Sequence, residues 1–297
     1  MLRWRLVGAT TILVPVLLLV WLDDQHHGGT PGVWLIPMAI GFIAWGCYEL
    51  TELLRTREPT IPVAMVMLAA GVAAVGTIVP IIARHHATVQ SIGPWGFLAL
   101  SIFLSLMAVV GHEMWKYREP GVSVNRIALS LFVVFYVSVP IAALLWLRLV
   151  LPNRWGLIAI VSIILITKIA DAGAFFVGRR WGQRRLAPLL SPKKTIAGAV
   201  GALATAAIAA FVFLYLAAPW ITDDSSFRVG GWTSIVYGIA LGVAGMFGDL
   251  AESLIKRDVQ QKDSSNLIPG LGGALDVLDS LLAAAPVGYL CWAWQLL

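Results

Sequence analysis

The sequence reads GDLAESLIKR over residues 248–257, at the end of a long apolar segment, and PGLGGALDVLD over residues 269–279, at the start of the next one. Acidic side chains therefore lie inside or beside segments that are otherwise apolar, with basic residues and a glycine-rich turn between them. A charge at the centre of a bilayer costs about 2.5–3.5 kcal/mol on insertion scales, so acids in such positions indicate a functional site.

The composition is that of an integral membrane protein. Of the 297 residues, 59% are hydrophobic and only 12% are charged, whereas a soluble domain carries about 25% charged residues. The net charge of +5 is typical of cytoplasmic loops that face anionic lipid, so we expect membrane lipids rather than nucleic acid as partners. The two cysteines, Cys47 and Cys291, lie in apolar segments and exclude a disulfide framework.

A membrane-spanning helix needs roughly 20 mostly apolar residues. Nine segments meet this requirement: 5–22, 33–53, 61–83, 94–112, 127–149, 155–178, 196–219, 231–255 and 275–296. We therefore predict an all-α polytopic membrane protein with about nine transmembrane helices. Residues 1–150, with about five helices and almost no charge inside them, should form a scaffold. Residues 151–297, with about four helices and two cytoplasmic loops, should form the catalytic region.

The distribution of basic residues predicts the orientation. With the N-terminus in the cytoplasm, 16 of the 21 Lys and Arg residues fall in cytoplasmic segments and four in outside loops. Because Lys and Arg accumulate on the cytoplasmic side of membrane proteins, we predict a protein of the inner membrane with its N-terminus in the cytoplasm and its C-terminus outside. The acidic segments then face the cytoplasm.

Two acid pairs flank the connection between the eighth and ninth predicted spans. Asp249, Glu252, Ser253 and Lys256 are spaced by three and four residues and share one helix face. Asp276 and Asp279 are three residues apart at the start of the next span. Carboxylates with few histidines suit a hard cation such as Mg²⁺. The alternative is that these acids only pair with neighbouring Lys and Arg residues at the membrane surface.

Two further segments are suited to phosphate. Residues 269–273, PGLGG, precede a predicted helix, and glycines allow the backbone to approach a ligand near a helix N-terminus; the helix dipole alone also favours Asp276 there. In residues 191–195, SPKKT, we expect Ser-Pro to begin a helix with Lys193 and Lys194 at its positive end, where a triphosphate would bind. The alternative for this basic region is an anchor for anionic headgroups.

Lys168 and Asp171 are three residues apart in the sixth predicted span, where mutual neutralisation is one explanation.

Taken together, carboxylate pairs, lysines and glycine turns suit phosphoryl or nucleotidyl transfer. Such chemistry needs positioning and charge neutralisation but no protein nucleophile.

The motifs between residues 171 and 279 resemble those of the phosphatidate cytidylyltransferases, also called CDP-diacylglycerol synthases. The resemblance is carried by SLIKR (253–257), KD (262–263), PGLGG (269–273) and DVLD (276–279), in that order and spacing. DAGAF at 171–175, with Gly178 and Arg179, and SPKKT at 191–195, with Gly198, are similar to two further segments of that family.

The resemblance implies that CTP and phosphatidic acid react to give CDP-diacylglycerol and pyrophosphate. It implies one or two divalent cations such as Mg²⁺, with a monovalent cation also allowed, and a homodimer. The implied metal ligands are Asp249 and Asp276, supported by Glu252 and Asp279. The implied catalytic residues are Asp249, Asp276, Asp279, Lys256 and Lys262. The implied substrate-binding residues are Asp171, Ser191, Lys193, Lys194, Thr195, Ser253, Arg257, Gly270, Gly272 and Gly273.

Four positions depart from the family pattern. Leu271 replaces a His, Val277 an Arg, Ala197 a Glu and Phe175 a Tyr. The acids and lysines of the family motifs remain, so the interpretation is still the reaction of CTP with phosphatidic acid. The changes leave open a different lipid phosphate, such as an isoprenoid or ether lipid.

Two other classes of membrane protein fit less well. A CDP-alcohol phosphatidyltransferase needs a longer acidic motif, whereas Asp279 is followed here by Ser280. A lipid or ion transporter would place its charges near the midplane, often with inverted repeats, and no repeat is visible in this sequence.

Overall fold

The computed structural model describes residues 14–297 except 17, 27, 119, 153, 223–226, 266–271 and 295. Eight helices within this part of the chain are long and apolar enough to cross a membrane. They confirm eight of the nine predicted spans and the all-α polytopic class, so the chain is an integral membrane protein. The first predicted span, 5–22, lies largely outside the described residues.

The helix boundaries agree with the apolar segments to within a few residues, except at the start of α3. The helices are α1 (Ile36–Arg55), α2 (Val63–Ile82), α3 (Ala87–Lys116), α4 (Ser123–Val150), α5 (Trp155–Trp181), α6 (Ile196–Ala210), α7 (Ala218–Thr222), α8 (Gly231–Asp258) and α9 (Ala274–Ala293). A 3₁₀ turn over Val33–Leu35 precedes α1. A π-helical stretch over Phe211–Ala217 joins α6 to α7, so that one span covers Ile196–Thr222.

The chain forms two compact units. The first consists of Met1–Trp146 and Val259–Val277, and the second of Leu147–Asp258 and Leu278–Leu297. Helices α4 and α9 each contribute residues to both units. The predicted division into a scaffold before residue 150 and a catalytic region after it stays a prediction.

The first unit is built on the packing of α1, α2 and α3, with α4 against them. The buried indole of Trp146 donates a hydrogen bond to the carbonyl oxygen of Thr77 (2.9 Å), which ties α4 to α2. Helix α3 begins seven residues earlier than the predicted span because it continues through a kink at Gly93, where φ is 71° and the following residue is Pro94. Glycine reaches this backbone conformation at low cost.

The helices of the second unit approach one another through glycines. Gly173 in α5 faces the side chain of Thr205 in α6, and Gly238 in α8 lies against the backbone of Ala206 in α6. A Cβ atom at either glycine would overlap the neighbouring helix. Small residues at helix contacts let the backbones come close, which is a common way of packing helices in membranes.

A short hairpin interrupts the helices of the second unit. Strand β1 (Arg185–Ala187) pairs with β2 (Ser191–Thr195) in antiparallel orientation. The prediction that Ser191 and Pro192 begin a helix is therefore wrong. Helix α6 begins at Ile196, and the side chain of Thr195 caps it by accepting a hydrogen bond from the Gly198 N–H (3.1 Å), the usual role of Thr before a helix.

Candidate functional site

The hairpin supplies the partner of the first predicted metal ligand. Lys194, on β2, forms an ion pair with Asp249, on α8, with 2.6 Å between Nζ and Oδ2. Both side chains are only partly exposed, at 23% and 33%. Two motifs that lie far apart in the sequence, SPKKT and GDLAES, thus meet in the second unit. We name this contact the hairpin ion pair.

The following turns of α8 carry a second ion pair. Glu252 is 2% exposed, and its carboxylate lies 3.3 Å from the Nζ atom of Lys256. This contact agrees with the alternative interpretation, pairing with a nearby base, and the role of Glu252 in holding a cation stays a prediction. Arg257 reaches the hairpin region, where its Nε donates to the carbonyl oxygen of Leu190 (3.2 Å). Ser253 is half-buried on the same helix.

A third group surrounds Lys168 on α5. Its Nζ atom lies 3.4 Å from an oxygen of Asp171 and 4.0 Å from an oxygen of Asp279. Ser280 connects the same residues, because its hydroxyl oxygen lies 3.0 Å from both Lys168 Nζ and Asp171 Oδ2. The ion pair agrees with mutual neutralisation as one explanation of Lys168 and Asp171, and the substrate-binding role of Asp171 stays a prediction. The positive charge of Lys168 also lowers the free-energy cost of placing a second carboxylate, that of Asp279, beside it.

The close packing of α8 on α9 brings the hairpin ion pair near the Lys168 group. Gly248 lies against the backbone of Asp279 and the methyl group of Ala283, and a side chain at Gly248 would overlap both. Asp249, the next residue, is close enough to Asp279 to interact with it electrostatically. The second unit therefore gathers three carboxylates, those of Asp171, Asp249 and Asp279, with two lysines.

Asp276 belongs to the first unit, where Ser264 and the residue before α9 hold it. Its Oδ2 atom accepts hydrogen bonds from the Ser264 N–H (3.2 Å) and the Gly273 N–H (2.8 Å), and it lies 2.7 Å from the hydroxyl oxygen of Ser264. An acid at the third position of a helix that reaches back to the preceding N–H stabilises the helix N-terminus. These contacts agree with the helix-end explanation for Asp276 and fix the orientation of its carboxylate, and the cation-binding role of Asp276 stays a prediction.

The two described glycines of the predicted phosphate turn lie next to acids. Gly272 has a φ of 88°, and a Cβ atom there would overlap the Asp276 carboxylate. Gly273 is buried against the carboxylate of Glu49. The backbone at both glycines thus closely approaches protein carboxylates, and the predicted approach to phosphate stays a prediction. Gly270 lies outside the described residues.

The other predicted residues differ in exposure. Lys193 and Lys262 are exposed, Ser191 is half-buried, and Thr195 is 7% exposed because it caps α6. Asp249 and Asp276 belong to different units, so the predicted convergence of the two acid pairs stays a prediction. Among the described residues, no three or more His, Cys, Asp or Glu side chains form a group that could hold a metal ion.

Three polar residues of these groups were missed in the sequence. Ser280 follows the DVLD motif directly, and Ser264 lies in the loop before the glycine turn. Glu49 lies in the half of the chain that is predicted to be scaffold, but an acid inside the predicted span 33–53 is itself a signal of function. Glu49 accepts hydrogen bonds from the Ser264 hydroxyl and from the Ala274 N–H (2.7 Å).

Comparison with known proteins agrees with these motifs. The pattern of the cytidylyltransferase family matches residues 4–294. A phosphatidate cytidylyltransferase of Haemophilus influenzae is 30% identical over 298 residues, which cover 96% of each chain. One of Chlamydia muridarum is 34% identical over 207 residues, 66% of this chain and 62% of that protein. One of Brucella suis is 40% identical over 137 residues, 46% of this chain and 47% of that protein.

Proposed function

This chain belongs to the cytidylyltransferase family, and we propose that it makes CDP-diacylglycerol and pyrophosphate from CTP and phosphatidic acid. The observation that carries the proposal is the hairpin ion pair, in which Lys194 of the SPKKT motif contacts Asp249 of α8 at 2.6 Å. It joins a basic segment suited to a polyphosphate to an acid suited to a cation, as a nucleotide-binding enzyme requires.

The proposed reaction is a displacement at phosphorus. A phosphate oxygen of phosphatidic acid forms a bond to the α-phosphorus of CTP, and the bond from that phosphorus to the bridging oxygen breaks. The electron pair of the broken bond leaves with pyrophosphate. No protein nucleophile takes part, so the side chains act by binding, orienting and neutralising charge.

Cationic side chains near the hairpin are the proposed partners of the polyphosphate. Lys193 is exposed on β2, beside Lys194, and Arg257 contacts the hairpin region through Leu190. Lysine binds phosphate as a point charge, whereas arginine can donate two hydrogen bonds at once. When CTP binds, Lys194 would exchange part of its contact with Asp249 for a contact with phosphate.

The donor chemistry fits Mg²⁺. Mg²⁺ is often held by one or two carboxylates together with substrate phosphates and water, so a group of three protein ligands is not required. Asp249 and Asp276 are the proposed main ligands, with Glu252 and Asp279 in support. A bound divalent cation would neutralise charge that develops on the phosphate oxygens.

An assay with labelled CTP tests the function. Membranes that contain the protein should convert CTP and phosphatidic acid into CDP-diacylglycerol, and chelation of divalent cations should stop the conversion. A panel of lipid phosphates, including isoprenoid and ether-linked ones, identifies the substrate class. Movement of lipid without consumption of nucleotide would instead favour a transporter.

We further propose a homodimer in the inner membrane with its reactive groups facing the cytoplasm. The excess of Lys and Arg in the segments assigned to the cytoplasm supports this orientation. A tag at the C-terminus should therefore be accessible to an impermeant reagent added to spheroplasts, in which the outer face of the inner membrane is open to solvent. Labelling only after the inner membrane is permeabilised would contradict the orientation and change the number of spans by one.

A further inference from the structure

Glu49 is a buried acid in the half of the chain that contains none of the family motifs. It lies in α1, and only 2% of its surface is exposed. A buried carboxylate is costly unless hydrogen bonds or charges compensate it. The contacts of Glu49 must therefore be strong enough to retain an acid in an apolar helix.

These contacts are made with the residues on either side of the 266–271 segment. One carboxylate oxygen accepts a hydrogen bond from the N–H of Ala274, the first residue of α9, at 2.7 Å. The other accepts from the hydroxyl of Ser264. Glu49 thus fixes the N-terminus of α9 and one side chain of the preceding loop. Buried Gly46, one turn earlier in α1, also lies near Leu275.

Ser264 extends this arrangement to the proposed cation ligand. Its hydroxyl oxygen lies 2.7 Å from Asp276 Oδ2, and its N–H donates to the same oxygen. Gly273 completes the connection, because its N–H donates to Asp276 while its Cα lies against Glu49. Asp276 is therefore oriented by two residues that both contact Glu49.

We infer that Glu49 is a positioning residue for Asp276, acting through Ser264 and through the N-terminus of α9. The contacts are independent of the reaction, but their consequence for turnover rests on the proposed function. Residues that orient a metal ligand typically change affinity or activity by about 10–100-fold when they are removed. Glu49 would act on the reaction without contacting substrate.

Glu113 provides a matched control for the loss of a buried acid. It lies in α3 of the same unit, is 4% exposed and forms an ion pair with Arg126 at 3.5 Å. Glu113 is not a partner in the contacts that hold Asp276. Glu113→Gln should lower the melting temperature without changing the dependence of turnover on Mg²⁺.

The test compares Glu49→Ala, Glu49→Gln, Ser264→Ala and Glu113→Gln in the purified full chain. Readouts are kcat, the KM for CTP, the Mg²⁺ concentration for half-maximal rate, and hydrogen exchange of residues 259–265 and 272–277. Glu49→Ala and Ser264→Ala should lower kcat about 10–100-fold and raise the Mg²⁺ requirement. Glu49→Ala should also accelerate exchange in both segments.

Glu49→Gln should recover most of the lost rate. Its amide oxygen can still accept from the Ala274 N–H, and its amide nitrogen can donate to Ser264, whose hydroxyl then donates to Asp276. If Glu49→Ala and Ser264→Ala keep the wild-type kcat and Mg²⁺ requirement, the inference is wrong. The inference is also wrong if Glu113→Gln changes kcat and the Mg²⁺ requirement as much as Glu49→Ala does.

The experiments distinguish failure of the proposed function from failure of the positioning role of Glu49. If the wild-type protein makes no CDP-lipid from any lipid phosphate, the proposed function is wrong, and hydrogen exchange alone then decides the role of Glu49. Unchanged exchange of residues 259–265 and 272–277 in Glu49→Ala would contradict the positioning role even in an active enzyme.

Discussion

Asp249→Asn should reduce the rate of CDP-diacylglycerol formation at least about 1,000-fold, which corresponds to about 4 kcal/mol of transition-state stabilisation. The substitution keeps the volume of the side chain but removes the charge that a cation or Lys194 would contact. The Asp249 side chain is 33% exposed, and the amide oxygen of Asn can still accept a hydrogen bond from Lys194. The variant should therefore remain folded and extractable.

Initial rates with labelled CTP over a range of Mg²⁺ concentrations, combined with a melting curve, measure this effect. Asp258→Asn is the matched control, since Asp258 is the exposed last residue of the same helix and is not among the proposed ligands. It should keep a rate near that of the wild type. A nearly normal rate in Asp249→Asn would contradict the assignment of Asp249 as a cation ligand.

Gly273→Val should lower the free energy of unfolding by about 3 kcal/mol, the upper part of the usual range for overpacking. A Cβ atom at this buried position overlaps the Glu49 carboxylate and the Ser264 hydroxyl. The N-terminus of α9 would have to move away from α1, and the hydrogen bonds at Ala274 and Asp276 would lengthen. Thermal unfolding in detergent measures the loss of stability.

Gly71→Val is the matched control for this substitution. Gly71 lies in α2 of the same unit, is exposed, and has no atom within 4 Å of the position that a Cβ would take. Because Val is a better helix former than Gly, the control should be neutral or slightly stabilising. Equal melting temperatures for the two variants would show that the space around Gly273 is not limiting.

The membrane helices could be predicted from the sequence because a span requires a long apolar segment, and that signal is local. Local signals failed where tertiary contacts decide the structure. Residues 191–195 resemble a helix start, but they pair with 185–187 as a strand, and such a short hairpin has little periodicity to detect. The start of α3 was missed because Gly93 and Pro94 bend the helix without ending it.

The sequence predicts which residue types and motifs form the candidate site, but not how their side chains pair. Acids three residues apart, next to lysines, correctly indicated Asp249 and Asp279 as members of charged groups, but the sequence does not say which lysine pairs with which acid. Pairing of Lys194 with Asp249 depends on the hairpin. Glu49 could be found only by treating an acid in an apolar helix as informative in the half of the chain without motifs.

The glycine contacts of the second unit also limit how this sequence can change over evolutionary time. Where Gly173 and Gly238 face a neighbouring backbone or side chain, no larger residue fits unless both helices shift together. By contrast, Val200, Ile208 and Phe247 are more than half exposed on the same helices and can exchange for other apolar residues at little cost. Homologous chains should therefore diverge along their outer surface while the small residues between their helices persist.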